Sequence, residues 1–155
     1  MKLGSAQGDV TEAGHKQWCE LIDAKWAMSR TIRSAVGVGS NRESTSAYVS
    51  EMTASKLIDS GSSNIAQKAF VGEAQDCTVE FTRVDKGKEA VFRSIKLTNT
   101  IISSLVNQGR GTDRPTEVLT LNFTQIAITD TAEGAAGTAG TNSTVTYDLT
   151  TAQTS

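Results

Sequence analysis

Leu119-Thr120-Leu121-Asn122-Phe123-Thr124-Gln125-Ile126-Ala127-Ile128 carries the pattern that decides the fold. Leu119, Leu121 and Phe123 share one parity, and Ile126 and Ile128 share the other. Side chains two apart line the same face of a strand, so each set defines a buried face. A change of parity within one extended run is what an extra residue produces, and the sequence predicts a β-bulge near Thr124-Gln125.

Strand patterns extend outward from this stretch. Val145-Thr146-Tyr147-Asp148-Leu149 alternates strictly, and Val79 and Phe81 alternate with Thr78, Glu80 and Thr82. Val91, Ile95 and Leu97 fall on one face between Lys88 and Asn99, with the extended chain continuing through Ile101 to Val106. Residues 47–58 read as a strand of weaker alternation. From Trp18 to Met28 the set Trp18, Ile22, Ala24, Trp26 and Met28 shares one face, with Asp23 and Lys25 opposite. Glu20 falls on the apolar side and marks a local irregularity.

One segment has helical spacing. Ile65, Ala66, Ala69 and Phe70 fall on one side of a 3.6-residue repeat, Ser62 or Ser63 is placed to cap its start, and Gly72 to close it. One short helix among about six strands predicts a mainly β protein: a closed antiparallel β-barrel of two sheets with one short flanking α-helix, since closure removes exposed edges. The length of 155 residues suits a single domain spanning 1–155. Thr and Ser together fill about a quarter of the chain, in keeping with a strand-rich fold.

Three connections stand out: residues 30–46, 108–114 and a Gly/Ala/Thr-rich flexible loop at 132–143. The first is longer than ordinary loops and is therefore the most informative. It also belongs to a basic region, because Lys25, Arg30, Arg33 and Arg42 occur between Ala24 and Arg42 without an acid. After Arg114 there is no Lys or Arg, while Glu117, Asp130, Glu133 and Asp148 remain. A basic arm and an acidic C-terminal part suit head-to-tail contacts between copies, which close into rings or run on as filaments.

The overall numbers exclude several classes. Formal net charge is −2, which does not fit a strongly basic nucleic-acid binder. No apolar run approaches the ~18 residues of a membrane span, and the start lacks the apolar core of a signal peptide. The expectation is therefore a soluble cytoplasmic domain without membrane insertion. Residues 30–42 lack the interleaved aromatics that single-strand nucleic-acid binders present, so nucleic acid is not an expected partner.

Chemistry-bearing motifs are sparse. His15 is the single histidine, in the polar stretch Glu12-Ala13-Gly14-His15-Lys16, and reads as a solvent-facing loop residue better than as a catalytic base. Gly-x-Ser-x-Gly is absent. Cys19 and Cys77 have no metal-ligand spacing and read as buried strand thiols. Gly37-Val38-Gly39 and Gly109-Arg110-Gly111 do not continue into a phosphate-binding loop. No catalytic residue, metal or cofactor is expected.

Set in order, several short strings resemble the hemolysin-coregulated protein family of bacterial type VI secretion systems. They are Gly8-Asp9-Val10-Thr11 with His15-Lys16-Gln17-Trp18, Ser50-Glu51-Met52-Thr53, and Lys56-Leu57-Ile58-Asp59. Lys96-Leu97-Thr98-Asn99 with Ile101-Ile102-Ser103-Ser104, Arg114-Pro115-Thr116-Glu117-Val118-Leu119-Thr120-Leu121-Asn122-Phe123 and Tyr147-Asp148-Leu149 complete the series. The C-terminal Thr150-Thr151-Ala152-Gln153-Thr154-Ser155 departs from it, lacking the basic residues common in family tails.

The resemblance implies a structural subunit, not an enzyme. Its homohexameric rings stack into an inner tube that is ejected and carries effector proteins in the lumen. It further implies sheath and spike components as partners, and a cytoplasmic stage before secretion without a signal peptide. The family's stacking loop corresponds here to residues 30–46, so Arg30, Arg33, Val36, Val38 and Arg42 are its candidates. Val36 and Val38 are candidate anchors, because apolar residues in a polar loop need a partner surface. Asp23 and Lys25, facing away from the Trp18/Trp26 side, are candidate lumen and cargo residues. The competing expectations are a monomeric β-barrel module binding a small ligand or glycan and, behind it, an enzyme using His15.

Overall fold

The computed structural model describes residues 1–34, 42–85, 87–133 and 139–155. In chain order its early strands are β1 (Lys2–Leu3), β2 (Asp23–Lys25), β3 (Met28–Ser29), β4 (Ile32–Ser34), β5 (Arg42–Ser44), β6 (Tyr48–Val49) and β7 (Met52–Leu57). Helix α1 (Ser62–Val71) is followed by β8 (Gln75–Asp85), β9 (Lys88–Gln108), β10 (Thr116–Asn122), β11 (Gln125–Glu133), β12 (Ala139–Asp148) and β13 (Gln153–Thr154). A short 3₁₀ turn covers Ala13–His15. β7, β8, β9 and β12 fall where alternation predicts strands, whereas the run 119–128, expected as one strand, divides between β10 and β11.

β9 organises the molecule. Its first part lies between β8 and β11, where Ile95 faces Val79 on one side and Ile128 on the other. Its second part pairs with β10, which in turn pairs with β7, so Leu105, Leu119 and Ala54 stand in one row. The change of partner occurs at Asn99, whose φ of 53° puts it in the left-handed region that Asn tolerates better than most residues. The inward parity changes there too, from Ile95 and Leu97 to Thr100 and Ile102, all buried.

Opposite this corner the chain leaves β10 at Asn122, registered with Ile101, and enters β11 at Gln125, registered with Thr98. The parity switch at residues 119–128 is therefore a passage from one part of the sheet to another, correcting the expected bulge within one strand. Phe123 stays buried at the turn, and the Thr124 amide donates to the Thr98 carbonyl at 3.2 Å.

The main sheet runs β13-β12-β11-β9-β10-β7-β2, with β8 on β9 and β1 on β8. Among the described residues no ladder joins β2 to β1 or β13, so it is a curled half-barrel, correcting the expected closed barrel. The approach to β2 is too irregular for a ladder. Only Met1 and Cys19 meet, exchanging bonds of 2.6 Å from the Met1 ammonium and 2.8 Å from the Cys19 amide. Inside the curl, Leu3, Met52, Cys77, Val79, Ile95, Leu97, Leu119, Leu121 and Ile126 form the core, with Ile65 of α1 closing it.

The segment 18–28 departs from its expected single face. Cys19 is buried and Leu21 packs against the core, whereas Ile22 is 62% exposed and Met28 also lies outside. Asp23–Lys25 pairs with β7 and Met28 begins β3, and the expected parity holds at Ala24 and Trp26, which pack on the core. Helix α1 also differs in detail. Gly61 occupies the N-cap without a side-chain bond, and Gly72 adopts φ 71° and donates to the Lys68 carbonyl at 2.9 Å. Phe70 is 90% exposed instead of core-facing. β11 and β12 extend into the Gly/Ala/Thr-rich stretch to Glu133 and from Ala139, and 134–138 lie outside the described residues.

Candidate assembly surfaces and polar clusters

Residues 28–34 and 42–49, expected to contain parts of a long aperiodic connection, form a two-stranded ribbon. β3 pairs with β6, and β4 pairs with β5 through Ile32↔Ser44, Arg33↔Glu43 and Ser34↔Arg42. Between the two ladders Thr31 and Thr45 are joined by backbone and side-chain bonds of 3.1–3.3 Å. At the root, Ser50 bonds Ala27 through both backbone and hydroxyl at 2.8 Å, and the Tyr147 hydroxyl donates to the Ala47 carbonyl at 3.3 Å. Among the described residues these strands ladder only with each other. A ribbon with two open faces needs no alternation, which explains why the sequence pattern missed it.

The ribbon exposes apolar groups: Met28 and Ile32 at 58% each and Tyr48 at 69%. Arg30 is exposed at the root, and Arg33 and Arg42 lie in register-neighbouring positions of β4 and β5. Val36 and Val38 lie outside the described residues. The other two candidates, Asp23 and Lys25, are exposed on β2 opposite Ser55 and Thr53. A groove of about 660 Å³ at the ribbon root contains Lys25, Tyr48, Glu51, Thr53, Thr120 and Asn122. The structure thus brings Lys25 close to the base of the ribbon, with polar strand residues around it.

A buried ionic cluster went unread in the sequence. Lys56 and Glu117, 0% and 1% exposed, face each other across β7 and β10 with Nζ and Oε1 2.8 Å apart. Lys56 also reaches Asp59 at 2.8 Å and the Leu57 carbonyl at 2.9 Å. The Ser62 hydroxyl donates to Glu117 at 2.8 Å and accepts from the Asp59 amide at 3.0 Å, so Ser62 serves this cluster and not the helix cap. Burial disfavours the Lys56 ammonium, but Asp59 and Glu117 outweigh it and hold its pKa above the ordinary lysine value. The signal was present: Met52-Ala54-Lys56 and Glu117-Leu119-Leu121 place opposite charges on inward parity.

His15 is mostly buried, in place of the expected solvent-facing position. Its Nε2 meets Glu80 Oε2 at 2.7 Å, its Nδ1 meets Glu12 Oε2 at 3.0 Å, and its ring sits edge-on to Trp18. Burial lowers its pKa, but the two carboxylates prevail and raise it. Ligand-capable atoms of Glu12, His15 and Glu89 lie within 4.8 Å of one another, the one such group of His, Cys, Asp and Glu among the described residues. Cys19 and Cys77 are free and buried, with burial pushing their thiols up to about 11 and about 12. Cys77 is on β8, whereas Cys19 precedes β2 instead of lying in a strand.

This half-barrel with a flanking helix is a fold seen in type VI secretion proteins. A structure described as a type six secretion system protein superposes with TM-score 0.88 at 23% identity, covering 99% of this chain and 96% of that one. Hcp1 from Salmonella typhimurium gives 0.78 at 16% identity, covering 99% and 95%. A type VI secretion system effector from Yersinia pestis gives 0.70 at 21% identity, covering 95% and 96%. No curated protein sequence matches the chain. Residues 1–129 match the family described as Type VI secretion system effector, Hcp, and the chain belongs to that family. It is therefore a type VI secretion tube protein in class, and no helix among the described residues is long and apolar enough to cross a membrane.

Proposed function

We propose that this chain is the repeating subunit of a type VI secretion inner tube: six copies close a ring, rings stack, and the ejected tube carries effector proteins in its lumen. One observation supports this beyond family membership. Among the described residues the ribbon of 28–34 and 42–49 ladders only with itself, and it exposes Met28, Ile32 and Tyr48. A lone two-stranded hairpin is marginal in water, and an apolar ribbon gains stability by lying on another subunit. Arg30, Arg33 and Arg42 give it basic character that complements the acidic C-terminal part of a neighbouring copy. Asp23 and Lys25, beside Thr53, Ser55 and Thr120, suit a hydrated lumen wall that touches cargo without gripping it.

On this reading the subunit waits in the cytoplasm, leaves without a signal peptide, and meets sheath and spike components during ejection. Its role is mechanical and structural, with no catalytic step. Replacing Val36 and Val38 together by Asp should leave rings intact and abolish stacked tubes and secretion. Negative-stain electron microscopy of purified protein reads both outcomes. Monodisperse single chains of 16.4 kDa would overturn the ring reading and favour a monomeric β module binding a small ligand or glycan. Tubes surviving in the double variant would remove stacking from residues 30–46.

A further inference from the structure

Three carboxylates from separate parts of the chain converge on the imidazole of His15. Glu12 precedes the 3₁₀ turn, Glu80 comes from β8, and Glu89 comes from β9. Glu12 Oε2 accepts the His15 amide at 2.9 Å as well as facing Nδ1, which fixes the carboxylate at the ring. Glu80 is fixed in turn by the Ser94 hydroxyl at 3.2 Å, and Glu89 accepts the Thr82 hydroxyl. Trp18 packs edge-on against the imidazole with ring centres 4.8 Å apart. A cavity of about 610 Å³ opens onto Glu12, His15 and Glu89.

We propose that Glu12, His15 and Glu89 form a binding site for a divalent transition-metal ion such as Zn²⁺ or Mn²⁺, with Glu80 positioning the imidazole. Neutral imidazole carries one N–H and one lone pair. If Nε2–H donates to Glu80, the lone pair lies on Nδ1, on the side where Glu12 already stands. A ligating histidine whose other nitrogen is held by a carboxylate is the arrangement that fixes tautomer and ring orientation in metal centres. Ligand identity also fits: one imidazole with carboxylate oxygens suits Zn²⁺ and Mn²⁺ better than soft, thiolate-preferring ions.

Charge favours occupancy. With His15 neutral, Glu12, Glu80 and Glu89 carry three negative charges around one ring, and a divalent ion offsets two of them. The ion displaces the proton that otherwise bridges this cluster. Metal-to-ligand distances of about 2.0–2.2 Å require the three ligand atoms to draw closer, and Glu89, the exposed member, has room to move while exchanging its Thr82 bond. Remaining coordination positions open on the cavity and take water. The effect is structural, because the ion ties the N-terminal turn to the β8–β9 pair.

This inference stands independently of the tube reading. The test uses the full chain with any affinity tag removed, stripped with a chelator, then titrated with Zn²⁺ by calorimetry and with Mn²⁺ by electron paramagnetic resonance. One ion per chain is expected, together with a rise in melting temperature. His15→Asn and Glu89→Gln should each weaken binding at least tenfold, and Glu80→Gln about 10- to 100-fold through lost orientation. Glu73→Gln, on the exposed segment after α1, should change nothing. Absence of saturable binding, or Glu89→Gln binding as tightly as the parent, would overturn the site. Because Glu89 is exposed on its strand, that variant tests the site even if His15→Asn fails to fold.

Discussion

The Lys56–Glu117 cluster by the start of α1 and the ribbon of residues 28–34 and 42–49 invert the usual distribution of polarity in opposite directions. In the cluster a lysine and a glutamate are sealed from water; on the ribbon a methionine, an isoleucine and a tyrosine stand in it. Both arrangements are costly in isolation, and they are relieved to different degrees. Lys56 finds its partners within the same chain, in Glu117, Asp59, Ser62 and the Leu57 carbonyl. The ribbon is tied to the half-barrel at its root, through Tyr147 and Ala47, while Met28, Ile32 and Tyr48 stay exposed. One region is satisfied within the chain, and the other leaves apolar side chains in water.

The comparison breaks most sharply at Lys56. Lys56→Met leaves the Glu117 and Asp59 carboxylates buried without their cation and should cost about 3–5 kcal/mol, read by urea unfolding. Combining it with Glu117→Leu should recover part of that loss, since it removes one of the two stranded carboxylates and leaves Asp59. A single-variant loss below about 1 kcal/mol would mean that the cluster is hydrated and the contrast is weaker than drawn.

The ribbon predicts the reverse. Changing Met28, Ile32 and Tyr48 to Ser should move subunit stability by no more than about 0.5 kcal/mol at each site, as at ordinary surface positions. The same triple variant should lose higher assemblies in analytical ultracentrifugation. A large drop in subunit stability would show instead that the ribbon supports its own half-barrel.

A smaller effect tests the His15 cluster in metal-free protein. Its folded pKa lies above the ordinary 6.5, so its contribution is full below that value and is lost as pH rises through the folded pKa. The parent should therefore exceed His15→Gln in melting temperature most at mildly acidic pH, with the gap closing toward alkaline pH. An advantage that grows with pH would reverse the assigned sign. The smallest effect concerns the thiols. Cys19 and Cys77 should resist a thiol-specific reagent at pH 8 in the native chain and both react once it is unfolded; prompt native labelling would show that the core opens readily.

Much of the half-barrel was readable because one face of each long strand meets the core. Ile95, Leu97, Leu119, Leu121 and Ile126 all follow the alternation, and Gly72 marks the end of α1. The corner at residues 122–125 was visible as a parity change, but its meaning depends on which half of β9 lies alongside, a relation between distant segments. Ile22 and Phe70 misled because hydrophobicity was taken to imply burial, a rule that runs only one way. The ribbon was invisible for want of a buried face. Glu117 and Lys56 were readable as charges on inward parity, whereas Glu80 and Glu89 meet His15 only through the fold.

β9 has a mechanical consequence. A force entering the β8–β11 part can reach the β10–β7 part along one uninterrupted polypeptide, through Asn99, without crossing a loop or relying on side-chain friction. Where the load runs along β9, the hydrogen bonds that flank it resist together in shear instead of opening one by one. β9 thus acts as a rafter, letting one part of the half-barrel pass load to the other without relying on loop contacts.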